Sequence, residues 1–159
     1  MAPVLHRLFL VGVLLVMGCG GLRRSLAEEG YLRQQLYDYS YDVPLDALWG
    51  EAVAVTARAA SAKEWTEGTR SAEGVRTFSV NFPGAKTEPL GETGLLVRGW
   101  EAEGRSHLHI FRVSQRRPPP PSDLGSRAED LEMKVLERFR PEDARRFQEG
   151  AKQAGQRAP

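Results

Sequence analysis

The chain has a single cysteine, Cys19, so no internal disulfide can staple its fold. It also lacks a charge excess: 22 basic against 21 acidic side chains give a formal net charge of +1. Removing residues 1–18 takes away Arg7 alone and leaves the two signs equal in number. Such a balance excludes the field that recruits nucleic acid through its phosphates. Signatures of catalysis are scarce too. There is no G-x-S-x-G elbow, and Gly84-Ala85-Lys86-Thr87 lacks the glycine spacing of a phosphate-cradling loop. No internal repeat is visible. A chain of 159 residues, 41% hydrophobic and 27% charged, is nevertheless rich enough to bury one modest core.

The one long apolar run is residues 8–17, and it follows His6 and Arg7 and precedes Gly18-Cys19-Gly20-Gly21. Charged, hydrophobic and small-residue segments in this order read as a secretory signal peptide over residues 1–18. Ten helical residues rise only about 15 Å, half the hydrocarbon thickness of a bilayer, so the run is expected to be cleaved and not to remain as a span. A cysteine at its end is then either a chance thiol in an oxidising compartment or a point of attachment.

Val16-Met17-Gly18-Cys19, preceded by Leu14 and Leu15, resembles the lipobox of bacterial lipoproteins, with Met17 bulkier than the residue usual there. The resemblance covers only about the first twenty residues. It implies cleavage between Gly18 and Cys19, a thioether-linked diacylglycerol on the Cys19 sulfur, and an acyl group such as palmitate on the new amino terminus. Two or three long acyl chains exceed what stable membrane attachment requires. Gly20 is not the Asp that resembles an inner-membrane retention signal. In a two-membrane host the expected address is therefore the outer membrane, facing the periplasm.

Residues 19–35, glycine-punctuated and charged, read as a lipidated N-terminus and flexible tether. A single domain is expected over residues 36–154. It opens with a strand in which Tyr37, Tyr39, Tyr41 and Val43 alternate with polar residues. Pro44 suits a first helical turn, and Leu45, Leu48, Trp49, Ala52, Val53, Thr56 and Ala60 recur at helical spacing through about Ser61. Residues 63–74 read as a loop, with Trp65 folded back onto the core. Alternation returns in residues 75–82, which Pro83-Gly84 ends with a type II turn. Residues 94–102 and 105–115 form a hairpin about Glu103-Gly104. The proline-rich stretch 118–122 is a stiff connector, or alternatively a ligand for a partner's groove.

Ser126-Arg127-Ala128-Glu129 has the form of a capping box before a helix whose buried side is Leu131, Val135, Leu136 and Phe139. Pro141 divides that helix from a shorter one reaching about Lys152, and residues 155–159 are expected to be a disordered tail. The order predicts an α+β fold, a small antiparallel sheet of about four strands covered by two main helices. With the "YDVPLDALWGEAV" entry and the later hairpin, it loosely resembles the helix-grip domains of BamC-like outer-membrane lipoproteins over residues 36–140. A likeness at fold level transfers no functional residues.

Candidate chemistry in the domain is limited. His107 and His109, two apart on a strand, share a face and could ligate a metal if Glu101 or Glu103 completed the set; lining the edge of a core is the competing reading. The carboxylate pairs Asp38/Asp42 and Glu101/Glu103 are equally consistent with a solvated strand face. Tyr37, Tyr39 and Tyr41, with Trp100, could form an aromatic platform for glycan or peptide, or pack across strands. Arg105, Arg112, Arg116 and Arg117 concentrate positive charge that lipid headgroups could meet. The sequence thus points to a lipid-anchored envelope protein that binds or scaffolds other envelope components, with no catalytic residue, no nucleic-acid partner and no cofactor beyond its lipid. The alternative is an envelope hydrolase or metal enzyme using carboxylates or His107 and His109.

Overall fold

A computed structural model describes residues 21–61, 66–68, 70–82, 94–113 and 127–158. Cys19, Gly18 and the rest of the leader lie outside these residues, as do Trp65, Pro83-Gly84, Lys86, Arg116, Arg117, the proline run and Ser126. The chain divides into two compact units, one of residues 36–144 and one of residues 1–35 with 145–159.

The larger unit is α+β. Its elements are β1 (Ser40–Tyr41), α2 (Leu45–Ala59), β2 (Thr66–Glu67), β3 (Arg76–Asn81), β4 (Gly94–Ala102), β5 (Arg105–Val113) and α3 (Glu129–Phe139), followed by the start of α4 (Pro141–Arg157). The helix over residues 21–36, α1, belongs chiefly to the smaller unit. The strands form one antiparallel sheet in the order β1-β5-β4-β3-β2. Five strands form where about four are expected, because two residues inside the expected 63–74 loop pair with β3 as a short edge strand.

The hairpin β4–β5 has the predicted start and turn. Glu103 (φ 54°) and Gly104 (φ 74°) both take left-handed backbone, which lets a two-residue loop match the twist of its strands. Alternation then sorts the side chains. Phe78, Val80, Leu95, Val97, Leu108 and Ile110 are buried on the face that α2 and α3 cover. From α2 the core receives Leu45, Leu48, Trp49, Ala52, Val55 and Thr56, with Val55 deeper than the expected Val53. Gly99 admits this helix closely: a Cβ there would lie 3.0 Å from Leu45 and 3.1 Å from Trp49. The N-cap residue Pro44 offers no side-chain cap. Instead Glu101, on the hairpin, accepts from the Leu45 amide at 3.3 Å and brings a carboxylate to the positive end of α2.

α3 buries the expected Leu131, Val135 and Leu136 and, beside them, Met133 and Glu132. It does not start as a capping box. Ala128 is the N-cap, and Arg127 before it is held as an antiparallel bridge to Phe111. With Ala128 donating to the Ile110 carbonyl at 2.7 Å, this stretch is drawn to the sheet before the helix begins.

In the smaller unit, residues 21–35 are helical where composition suggested a tether, and α4 continues through Arg157, past the expected end near Lys152. Contact between these helices explains both differences. A Cβ on Gly150 would overlap the Tyr31 ring, and one on Gly155 would overlap Glu28 and Arg24. The small residues let two weak helices approach closely, so that packing overrides their polar composition. No helix among the described residues is long and apolar enough to cross a membrane.

Candidate functional site

A buried ion pair lies at the outer edge of β5. β1 pairs with β5 only through Ser40–His107 and Tyr41–Ser106, so the rest of that edge needs other partners. Glu132, carried by the first turns of α3, supplies one: its Oε1 accepts from the Ile110 amide at 2.8 Å. Arg127 closes on the same carboxylate with Nε at 3.0 Å and Nη2 at 2.5 Å, both side chains being almost fully buried. The guanidinium also donates to the Leu36 carbonyl at 3.0 Å and to that of Tyr37 at 3.5 Å. His109 approaches the Tyr37 carbonyl through Nε2 at 3.2 Å. Two buried charges thus satisfy backbone groups of two chain segments, β5 at Ile110 and residues 36–37.

Burial acts against the charges. Desolvation pushes the Glu132 carboxyl up to about 7, against the opposing pull of Arg127 and the Ile110 amide. The Tyr41 phenol is held well above its ordinary value, first by burial and then by the Glu132 charge. A carboxyl near neutrality is a usual mark of acid–base chemistry. Here its polar contacts all go to the protein, with Glu132 2% exposed, which suits positioning of the segments and not proton transfer to a substrate.

Trp100, His107 and His109 meet on the sheet face away from α2 and α3. His107 stacks on the Trp100 ring at 5.2 Å and 8°, and His109 meets that ring edge-on at 4.8 Å. Glu101 is directed to the opposite face, onto α2, and cannot join the histidines. Among the described residues no group of three or more His, Cys, Asp or Glu is placed to hold a metal ion.

The tyrosines do not extend this cluster. The expected strand is reduced to Ser40–Tyr41, and its alternation breaks because Leu36 and Tyr37 are held by Arg127. Tyr41 is buried on the helix-covered face, edge-on to Phe139 at 6.4 Å and to Tyr39 at 5.0 Å. Trp100 lies on the other face, so Tyr41 and Trp100 share no platform. Tyr37 is exposed. Tyr39 donates to Asp143 at 2.6 Å beside an open groove of about 320 Å³ lined by Phe139, Arg140, Pro141, Glu142 and Asp143.

Asp42, Arg105 and Arg112 are engaged in surface pairs. Asp42 receives Arg105 at 2.5 Å and also Arg140. Arg112 reaches Asp130 at 2.6 Å. On the helix-covered face, at the start of β3, Arg76 lies over the Trp49 ring at 4.7 Å and pairs with Asp46 and Glu67. Arg127 and Glu132 escaped sequence reading because each is an ordinary helix-surface residue type. The available signal was the polar Glu132 next to Leu131 and Met133, inside an apolar cluster. No protein-family model, curated protein or solved structure matches the chain.

Proposed function

We propose that the chain is a lipid-anchored bacterial envelope protein with a non-catalytic binding or scaffolding role. The observation that carries this reading is Leu14-Leu15-Val16-Met17-Gly18-Cys19: the chain's one thiol stands where a lipobox puts its lipid, at the end of its one long apolar run. Acylation gives that cysteine a purpose. Buried methylenes at about 0.8 kcal/mol each make two or three acyl chains a stable anchor. Gly20 favours the outer membrane over the inner.

Support for a binding role comes from the character of the domain. Its strongly perturbed ionisable groups, Glu132 and Tyr41, are both enclosed, Glu132 holding the Ile110 amide and Tyr41 packed against Tyr39 and Phe139. Among the described residues it offers an open groove beside Asp143 and a half-buried Trp100–His107 stack, surfaces suited to a peptide or glycan of the envelope. Metabolic labelling with a radioactive fatty acid tests the anchor. Wild-type chain should take up label and Cys19→Ala should not; label retained by the variant would refute it.

A further inference from the structure

α1 carries an apolar pair that folding leaves outside. Leu22 is 65% exposed and Leu26 58%, one helical turn apart. The stripe of α1 that meets α4 is Arg24, Glu28 and Tyr31, as the glycine contacts at positions 150 and 155 show. At 3.6 residues per turn, Leu22 and Leu26 project about 180° from the middle of that stripe. They are thus on the side of the helix farthest from the face that meets α4.

We propose that Leu22 and Leu26 are a membrane-surface contact, inserting into the headgroup boundary of the bilayer beside the lipid on Cys19. The inference rests on the anchor reading above. Chain length then decides the occupant. From Cys19 to Leu22 the backbone spans at most about 11 Å even if fully extended. Each headgroup layer is itself some 5–7 Å deep, so a cysteine whose acyl chains enter the hydrocarbon holds Leu22 at or close to the interface. Leu26 follows one turn on. Arg23 lies between Leu22 and Leu26 in the chain, about 60° around the helix from Leu26, and a guanidinium at this depth faces lipid phosphates with its aliphatic stem along the apolar boundary. The lipid and the leucine pair together make a two-part attachment, in which the helix as well as the thioether touches the membrane.

The full chain, processed in the bacterial envelope and reconstituted in phosphatidylethanolamine–phosphatidylglycerol vesicles, tests this. An environment-sensitive fluorophore on Leu26→Cys is compared with one on Gln34→Cys, and intact mass reports acylation of Cys19 in the same samples. The expected result is a blue-shifted emission at position 26, quenched at least twofold more than position 34 by spin-labelled headgroups. An acylated chain with equal, water-like emission at both positions would overturn this contact and leave the anchor standing. An unmodified Cys19 would overturn the anchor and the contact with it. Self-quenching at position 26 that grows with the protein-to-lipid ratio, without headgroup quenching, would assign the leucines to a second copy of the chain and likewise overturn it.

Discussion

Glu132 accepts a hydrogen bond from the backbone amide of Ile110 at 2.8 Å, so a side chain on a helix does for the edge of β5 what a neighbouring strand would otherwise do. The carboxylate can stay there only because Arg127 is buried with it. Removing either partner should therefore be severe. Glu132→Ala or Arg127→Ala is expected to lose about 3–5 kcal/mol, since each leaves an uncompensated buried charge. Arg127→Met/Glu132→Leu should lose less than the sum of the single variants. Urea titrations of all three check the coupling.

Stability should also carry the signature of the Glu132 proton. Because desolvation raises the folded carboxyl to about 7 from 4.5, the folded state binds the proton more tightly than the unfolded one. Its contribution is fully present below about pH 4.5 and is lost as pH rises through 7. Relative to Glu132→Gln, the wild-type protein is expected to lose stability across that window. Parallel pH profiles of the two proteins would contradict this assignment.

Thr56 is fully buried in α2, and its hydroxyl has no hydrogen-bond partner among the described residues. Thr56→Val keeps the shape and removes the orphaned group. A gain of about 1 kcal/mol in chemical denaturation is expected.

Gly99 lies under Trp49 and Leu45 with no space for a larger side chain. Gly99→Val should cost about 1–3 kcal/mol by forcing α2 away from the sheet, with a lowered melting temperature. The Trp49 fluorescence environment should change with it.

Glu103 is a non-glycine residue in left-handed backbone at the β4–β5 turn. Asn tolerates that conformation better and pairs well with a following glycine. Glu103→Asn is expected to stabilise by about 0.5–1 kcal/mol, as thermal unfolding would show, whereas Gly104→Val should destabilise.

The hairpin, α2 and the split at Pro141 were legible in the sequence because each rests on local signals: strict alternation, a 3.6-residue period, a proline. What was hidden depends on contacts between distant segments. Residues 21–35 look like a tether in composition, and only Gly150 and Gly155, more than a hundred positions later, show why they are helical. The same distance conceals the Arg127 contacts to Leu36 and Tyr37, which turn the tyrosine row out of its strand. His107 and His109 were correctly placed on one face, but the ring that engages them, Trp100, comes from the opposite strand of the hairpin. Glu101, their imagined co-ligand, follows the alternation to the other face.

The sealed margin of β5 has a consequence for how the protein meets further copies of itself. A sheet border with free amides invites other chains to add themselves. Here the amide at Ile110 and the carbonyl beside it are already taken by Glu132 and Ala128. At that point the sheet is finished, and a neighbouring copy finds no row on which to continue it.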